Sequence, residues 1–348
     1  MKQGDKVYYG GLDVLRGLAA FAVVVIHTPV AEGDPVKTSL LAVLPPANAV
    51  FAMMAGFLMA DGLTRAPVKF KDWMVGRVRR LLVPYAVWTV VYVLLNVVFD
   101  AVRGQPSNFA TTDWFFWGNV IFCGGGAIQL WFLIMLFYAQ VLLFFSLVNP
   151  HVSPWIKKTV LILIVVSAFA CYPLAAPQGK TEGTTAAFLF MIGYCALGAQ
   201  LAQLRVLDVG FHRRYVLGMV VLLCALTFIG FRRADAFSWG GYGLDILRAL
   251  LWFVLALVMP LKSVHPSIKS MAKHSMGVYT FHVLFTTLLP VFMVLLGADV
   301  QSSYWTLLVA ISAFLLSWAA SALSARNPWL DVLLRGVPMP RTRCKGCE

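Results

Sequence analysis

Runs of roughly 17 to 25 apolar residues follow one another along almost the whole chain, each long enough to carry an α-helix across a bilayer core about 30 Å thick. Only 12% of the residues are charged and 60% are hydrophobic, whereas soluble domains carry about 25% charged residues. The chain is therefore expected to be an all-α integral membrane protein. No stretch between the runs is long enough for a soluble domain, so one membrane domain is expected over residues 1–348, with its core at 8–325 and a basic cytoplasmic tail at 326–348. The first run opens at Leu12 and lacks a small-residue cleavage site, which reads as a retained helix.

About ten spans are expected, near 12–30, 46–63, 81–99, 129–147, 159–174, 185–204, 215–231, 242–260, 275–297 and 304–325. Ten spans put both termini on one side. The loops of that side hold 21 of the 28 lysines and arginines; the opposite side holds five, namely Lys37, Arg103, Lys180, Arg232 and Arg233. Arg16 and Arg248 lie inside spans. The basic side is thus expected to be cytoplasmic. Losing or gaining one span would invert every later loop and destroy the asymmetry. Topology also accounts for the net charge of +13, so a nucleic-acid partner is not expected. The aromatic segment 109–128, broken by three consecutive glycines, lies along the interface or re-enters, as a cavity wall or a Trp-rich anchor.

Asp13, Arg16 and His27 all fall within the first span. Asp13 and Arg16 are three residues apart. The eleven-residue step to His27 turns the helix by about 1100°, three turns plus 20°, and rises about 16 Å. One helical face can therefore carry a cationic station near the cytoplasmic mouth and an imidazole deep inside. Ionisable groups at such depth cost several kcal/mol and usually face a protein interior or a cavity. A structural ion pair and a helix-packing histidine are the plain alternatives. The functional reading is that the imidazole takes a proton from an attacking hydroxyl while Arg16 holds phosphate or carboxylate.

Five ordered elements sharpen this reading. Leu12-Asp-Val-Leu-Arg16 continues to His27 with ten residues between the Arg and the His. Met54-Ala55-Gly56-Phe57-Leu58 follows in the second span. Arg77-Val-Arg79-Arg80 precedes Leu-Leu-Val-Pro84-Tyr85. Gln129-Leu-Trp131-Phe132-Leu133 with Tyr138, and later Ser275-Met-Gly277-Val-Tyr279-Thr-Phe-His282, complete the set. Together they resemble the membrane acyltransferase-3 family, with hints of its fucose O-acetylase-like branch. Ala55 stands where the family usually has serine, and Gln129 where many members have histidine.

The resemblance implies a bacterial inner-membrane O-acyltransferase that moves an acetyl group from acetyl-coenzyme A to a hydroxyl of a surface polysaccharide or its lipid-linked glycan precursor. His27 is the expected base, with Arg16 and Asp13, a helix length away, as the other members of the catalytic group. Arg77 and Arg80, with Arg16, are expected to hold the coenzyme, since guanidinium groups take phosphate bidentately. Trp131, Tyr138, Ser275, Tyr279 and His282 are expected to contact the acceptor; the offsets from Ser275 to Tyr279 and on to His282 put the last three on one stripe. His282 competes with His27 for the role of base. The bilayer is the other expected partner, and a homo-oligomer is left open. A transporter or flippase of sugars or organic anions, without chemistry, is the alternative; a membrane scaffold is the third.

No metal is expected. Cys344-Lys-Gly-Cys347 is one pair where a zinc site needs about four ligands. His151, His212, His265 and His274 read as loop imidazoles, and Asp245 with Arg248 as an ion pair of the eighth span or a contact to the acceptor.

Overall fold

The computed structural model describes residues 8–29, 34–148, 152–175, 184–204, 213–232, 239–259, 261, 263–295, 297 and 303–337. Among these there is no strand, and the chain runs through α1 (Gly10–His27), α2 (Pro35–Val43), α3 (Ala47–Arg65), α4 (Phe70–Arg77), a π-helical turn (Val78–Leu82), α5 (Val83–Val102), α6 (Trp114–Phe122), α7 (Trp131–Val148), α8 (Pro154–Ala175), α9 (Thr184–Gln203), α10 (Arg213–Arg232), α11 (Trp239–Val258), α12 (Pro266–Leu295), α13 (Ser303–Ser324) and α14 (Pro328–Arg335). Eight helical stretches of the described residues are long and apolar enough to cross a membrane. α10 and α11 stand at the expected seventh and eighth spans. The protein is an all-α, multi-pass membrane protein. The expected cytoplasmic placing of both termini rests on the loop charges, and residues 1–7 and 338–348 lie outside the described ones.

α1 is the hub. It packs against α3, α11, α12 and α13, and buries Leu12, Leu15, Ala19, Ala22 and Val23 in the main core. Small residues allow this closeness, because in lipid helix association rests on tight van der Waals packing more than on expulsion of water. The tightest crossing is α3 on α9. A Cβ at Gly56 would collide with the Cys195 carbonyl, and one at Gly198 with the Met53 carbonyl, so each helix lays its backbone on the other. The Gly56 of the second-span motif is therefore a packing device.

The π-helical turn has a local cause. Pro84 has no N–H to donate to the carbonyl of Arg80, and its ring crowds that carbonyl in an α-helical register. The chain widens to a five-residue turn there, with the Val83 N–H bonded to the Val78 carbonyl. Such turns often mark functional positions, and this one, which carries Arg80, packs on α7 and α14.

Two expectations change on contact with the structure. α12 begins at Pro266, nine residues before the expected apolar span. The polar first turns concealed it, since Ser, Lys and His are compatible with helix but not with an apolar window. His274 is consequently buried, not solvated, with Nδ1 3.0 Å from the Ser321 hydroxyl. The expected basic tail also opens with an ordered element. Asn327 caps α14 by accepting from the N–H groups of Trp329 and Leu330, Pro328 occupies its first turn, and Gly336 ends it at φ +67°. α14 packs on α5, α12, α13 and the π-helical turn, and the Trp88 indole donates to the Leu334 carbonyl at 3.1 Å.

Candidate active site

A cavity of about 580 Å³ lies between α1, α3, the π-helical turn, α7, α12 and α14. Its basic end is lined by Arg16, Arg77, Arg80, Lys273 and Arg335, and none of the lining residues is Asp or Glu. Three of the five cations, Arg16, Arg77 and Arg335, are held by neighbours that stand back from the space. Arg16 lies 3.9 Å from Asp13. Arg77 stacks over the Trp73 ring at 5.5 Å. Arg335 pairs with Asp331 at 3.1 Å and donates to the carbonyls of Ser321 and Lys273. Burial lowers the Arg335 pKa, and the Asp331 carboxylate opposes that. Five like charges around one cavity repel one another unless an anion joins them, and guanidinium groups suit phosphate.

Away from the cations the wall turns apolar, through Met54, Phe132, Leu133, Leu136 and Met276, and ends at Ser275 and Tyr279. The Tyr279 hydroxyl donates to the backbone carbonyl of Gln129. Its ring lies 5.9 Å from the ring of His282, which in turn lies 5.1 Å from the ring of His27. His282 is fully buried. Its Nδ1 faces the carbonyls of Tyr279, at 2.7 Å, and Val278, at 3.2 Å. A carbonyl can only accept, so Nδ1 carries the hydrogen, and the neutral ring keeps its lone pair on Nε2. That Nε2 has no partner among the described residues. His27 keeps partial exposure at the end of α1, where the Lys37 ammonium caps the Thr28 carbonyl at 2.9 Å.

The structure thus brings Arg16, Arg77, Arg80, Ser275 and Tyr279 to one cavity, while His282 and then His27 follow behind the Tyr279 ring without lining it. Asp13 touches Arg16 and accepts from the Tyr8 hydroxyl at 2.9 Å, without lining the space. Trp131 and Tyr138 also stand outside it. Trp131 packs on Phe190, and the Tyr138 hydroxyl donates to the Phe122 carbonyl, at the end of short α6. Ala55, in the usual place of serine, lines the cavity. Arg248 meets Asp245 at 3.2 Å and donates to the carbonyls of Leu41, Ala42 and Leu44, which makes this pair a pin for the end of α2.

Lys273, Arg335 and Gln140 line the cavity without having been singled out from the sequence. The first two were absorbed into loop and tail charge; the carboxamide of Gln140, alone in an apolar run, was the one visible signal. Cys344 and Cys347 lie outside the described residues. No group of three metal-ligating side chains occurs among the described residues. A larger cavity of about 920 Å³, lined by Tyr9, Asp61, Arg65, Lys157 and Lys158, holds none of the ionisable motif residues, and its Arg65 already pairs with Asp61 at 2.8 Å.

The chain is a polytopic membrane protein whose cationic cavity reaches Tyr279, with the His282 and His27 rings beyond it. The acyltransferase-3 family model, described as an acyltransferase domain, matches residues 9–324, and the chain belongs to that family. Neither the curated proteins nor the solved structures contain a significant match to it.

Proposed function

We propose that the protein is an O-acetyltransferase of the bacterial inner membrane, taking its acetyl group from acetyl-coenzyme A on the cytoplasmic side and passing it to a hydroxyl of a surface polysaccharide or lipid-linked glycan precursor. The observation that carries this reading is the continuity of one cavity from five cations to Tyr279, with the His282 and His27 rings beyond it. Arg77, Arg80 and Arg16 suit the phosphates of the coenzyme, with Lys273 and Arg335 adding to the same field. The apolar wall suits the uncharged arm that carries the thioester.

At the inner end His27 acts as general base. It accepts the proton of the acceptor hydroxyl as that oxygen attacks the thioester carbonyl; the C–S bond then breaks, and the proton is returned to the departing sulfur. His27 is preferred over His282 because its ring keeps some exposure, while the His282 ring is enclosed and tied to the Tyr279 carbonyl. His282 is then a positioning residue that sets the place of the His27 ring.

The test is coenzyme A release from acetyl-coenzyme A by the purified protein in lipid nanodiscs, with and without membrane glycan extract. Acceptor-dependent release with acetyl appearing on glycan is expected. Glycan movement across the bilayer without any thioester cleavage would overturn the reading.

A further inference from the structure

The cavity holds a buried carboxamide that the reaction above does not use. Gln140 on α7 is 2% exposed, lines the cavity, and its Oε1 has no hydrogen-bond partner among the described residues. A buried acceptor left unpaired costs about 1–3 kcal/mol, so its retention in an apolar wall asks for a donor that arrives with the ligand.

Its position along α7 says which part of the ligand that is. Phe132, Leu136 and Gln140 follow one another at four-residue steps and all face the cavity. Phe132 lies 5.4 Å from the Tyr279 ring, at the inner end. Phe144, one more turn on, packs 4.5 Å from Trp73, the ring over which Arg77 stacks. Gln140 therefore stands between the arginine that would take phosphate and the tyrosine beside the imidazoles, about 12 Å of helix rise from Phe132. A ligand lying along this path with phosphates at one end and a thioester at the other passes its middle across Gln140. In coenzyme A that middle is the uncharged pantetheine arm, whose two amide N–H bonds donate.

We propose that Gln140 is a specificity-determining residue that accepts a hydrogen bond from an amide N–H of the pantetheine arm, an inference that rests on the coenzyme A donor of the proposed function. The apolar surround then favours this arm over a ligand of equal charge without amides, because such a ligand leaves Oε1 unpaired.

Binding of two probes by the full-length protein in nanodiscs tests this: coenzyme A, and adenosine 3′,5′-bisphosphate, which has the adenine and two phosphates but no arm. Gln140→Leu is expected to weaken coenzyme A by roughly 5- to 10-fold and to leave the bisphosphate unchanged, which also reports an intact site. Unchanged coenzyme A affinity in that variant overturns the inference alone. Equal weakening of both probes overturns it too, placing the contact on the adenine or in the fold. If the unsubstituted protein binds neither probe, the donor reading fails and takes this inference with it.

Discussion

The His27 ring lies 5.1 Å from the ring of His282, so an imidazole of the first span and one of the twelfth helix meet where α1 packs on α12. The His282 Nδ1 is committed to the Tyr279 carbonyl, which fixes its tautomer and ring position, while the His27 ring keeps partial exposure. His27→Gln should insert and fold normally and lose about 10²- to 10⁴-fold in kcat, the usual worth of a general base. His282→Gln should lose less. Single-turnover transfer by both variants, at matched abundance, decides between them: near-normal transfer by His27→Gln, with selective loss in His282→Gln, would move the base to His282.

Arg77→Ala and Arg80→Ala should raise KM for acetyl-coenzyme A far more than they lower kcat, because a phosphate contact is made equally in ground and transition states. Steady-state kinetics against donor concentration measure this. Wild-type KM in both would remove the phosphate site from this end of the cavity.

Gly336 ends α14 at φ +67°, and a Cβ there would press into the Arg80 backbone. Gly336→Ala should therefore displace Arg80 and raise KM for the donor several-fold, although the residue has no part in the chemistry; a side chain in that backbone region costs about 1–2 kcal/mol before any clash. Gly297 is the control, with φ +76° and open space around it. If Gly297→Ala and Gly336→Ala raise the donor KM equally, α14 does not hold Arg80 in place.

The α3–α9 crossing predicts a stability effect independent of function. Gly56→Val and Gly198→Val should each lower the melting temperature in detergent, with a cost of at least about 1–3 kcal/mol from overpacking. Gly62→Val, on the same α3 but with nothing within 4 Å of its Cβ position, should be nearly neutral. Similar melting of all three would mean that the helices do not meet backbone to backbone.

Cys344→Ser with Cys347→Ser should keep full acetyl transfer, since a lone Cys pair lacks the ligands of a structural zinc site. Stoichiometric zinc in the parent protein, lost together with activity in the double variant, would reverse that expectation.

The membrane fold was open to reading because it is a local property: an apolar run of bilayer length must be helical wherever its neighbours lie, and the loops report sidedness by charge alone. The stations at Arg16 and His27 were equally readable, since helical rise and rotation place both on one helix. Tertiary structure alone decided the rest. It set His282 beside His27, which no spacing could do, because the two come from helices that meet only through packing. It turned Lys273 and Arg335 from loop and tail charge into cavity wall by extending α12 and docking α14. It left Trp131 and Tyr138 outside that wall and made Asp245 and Arg248 a pin on α2. Each outcome depends on which helices touch and in which rotation. That choice is made by close approaches such as Gly56 on Cys195, whose energy exists only once the distant partner is in place.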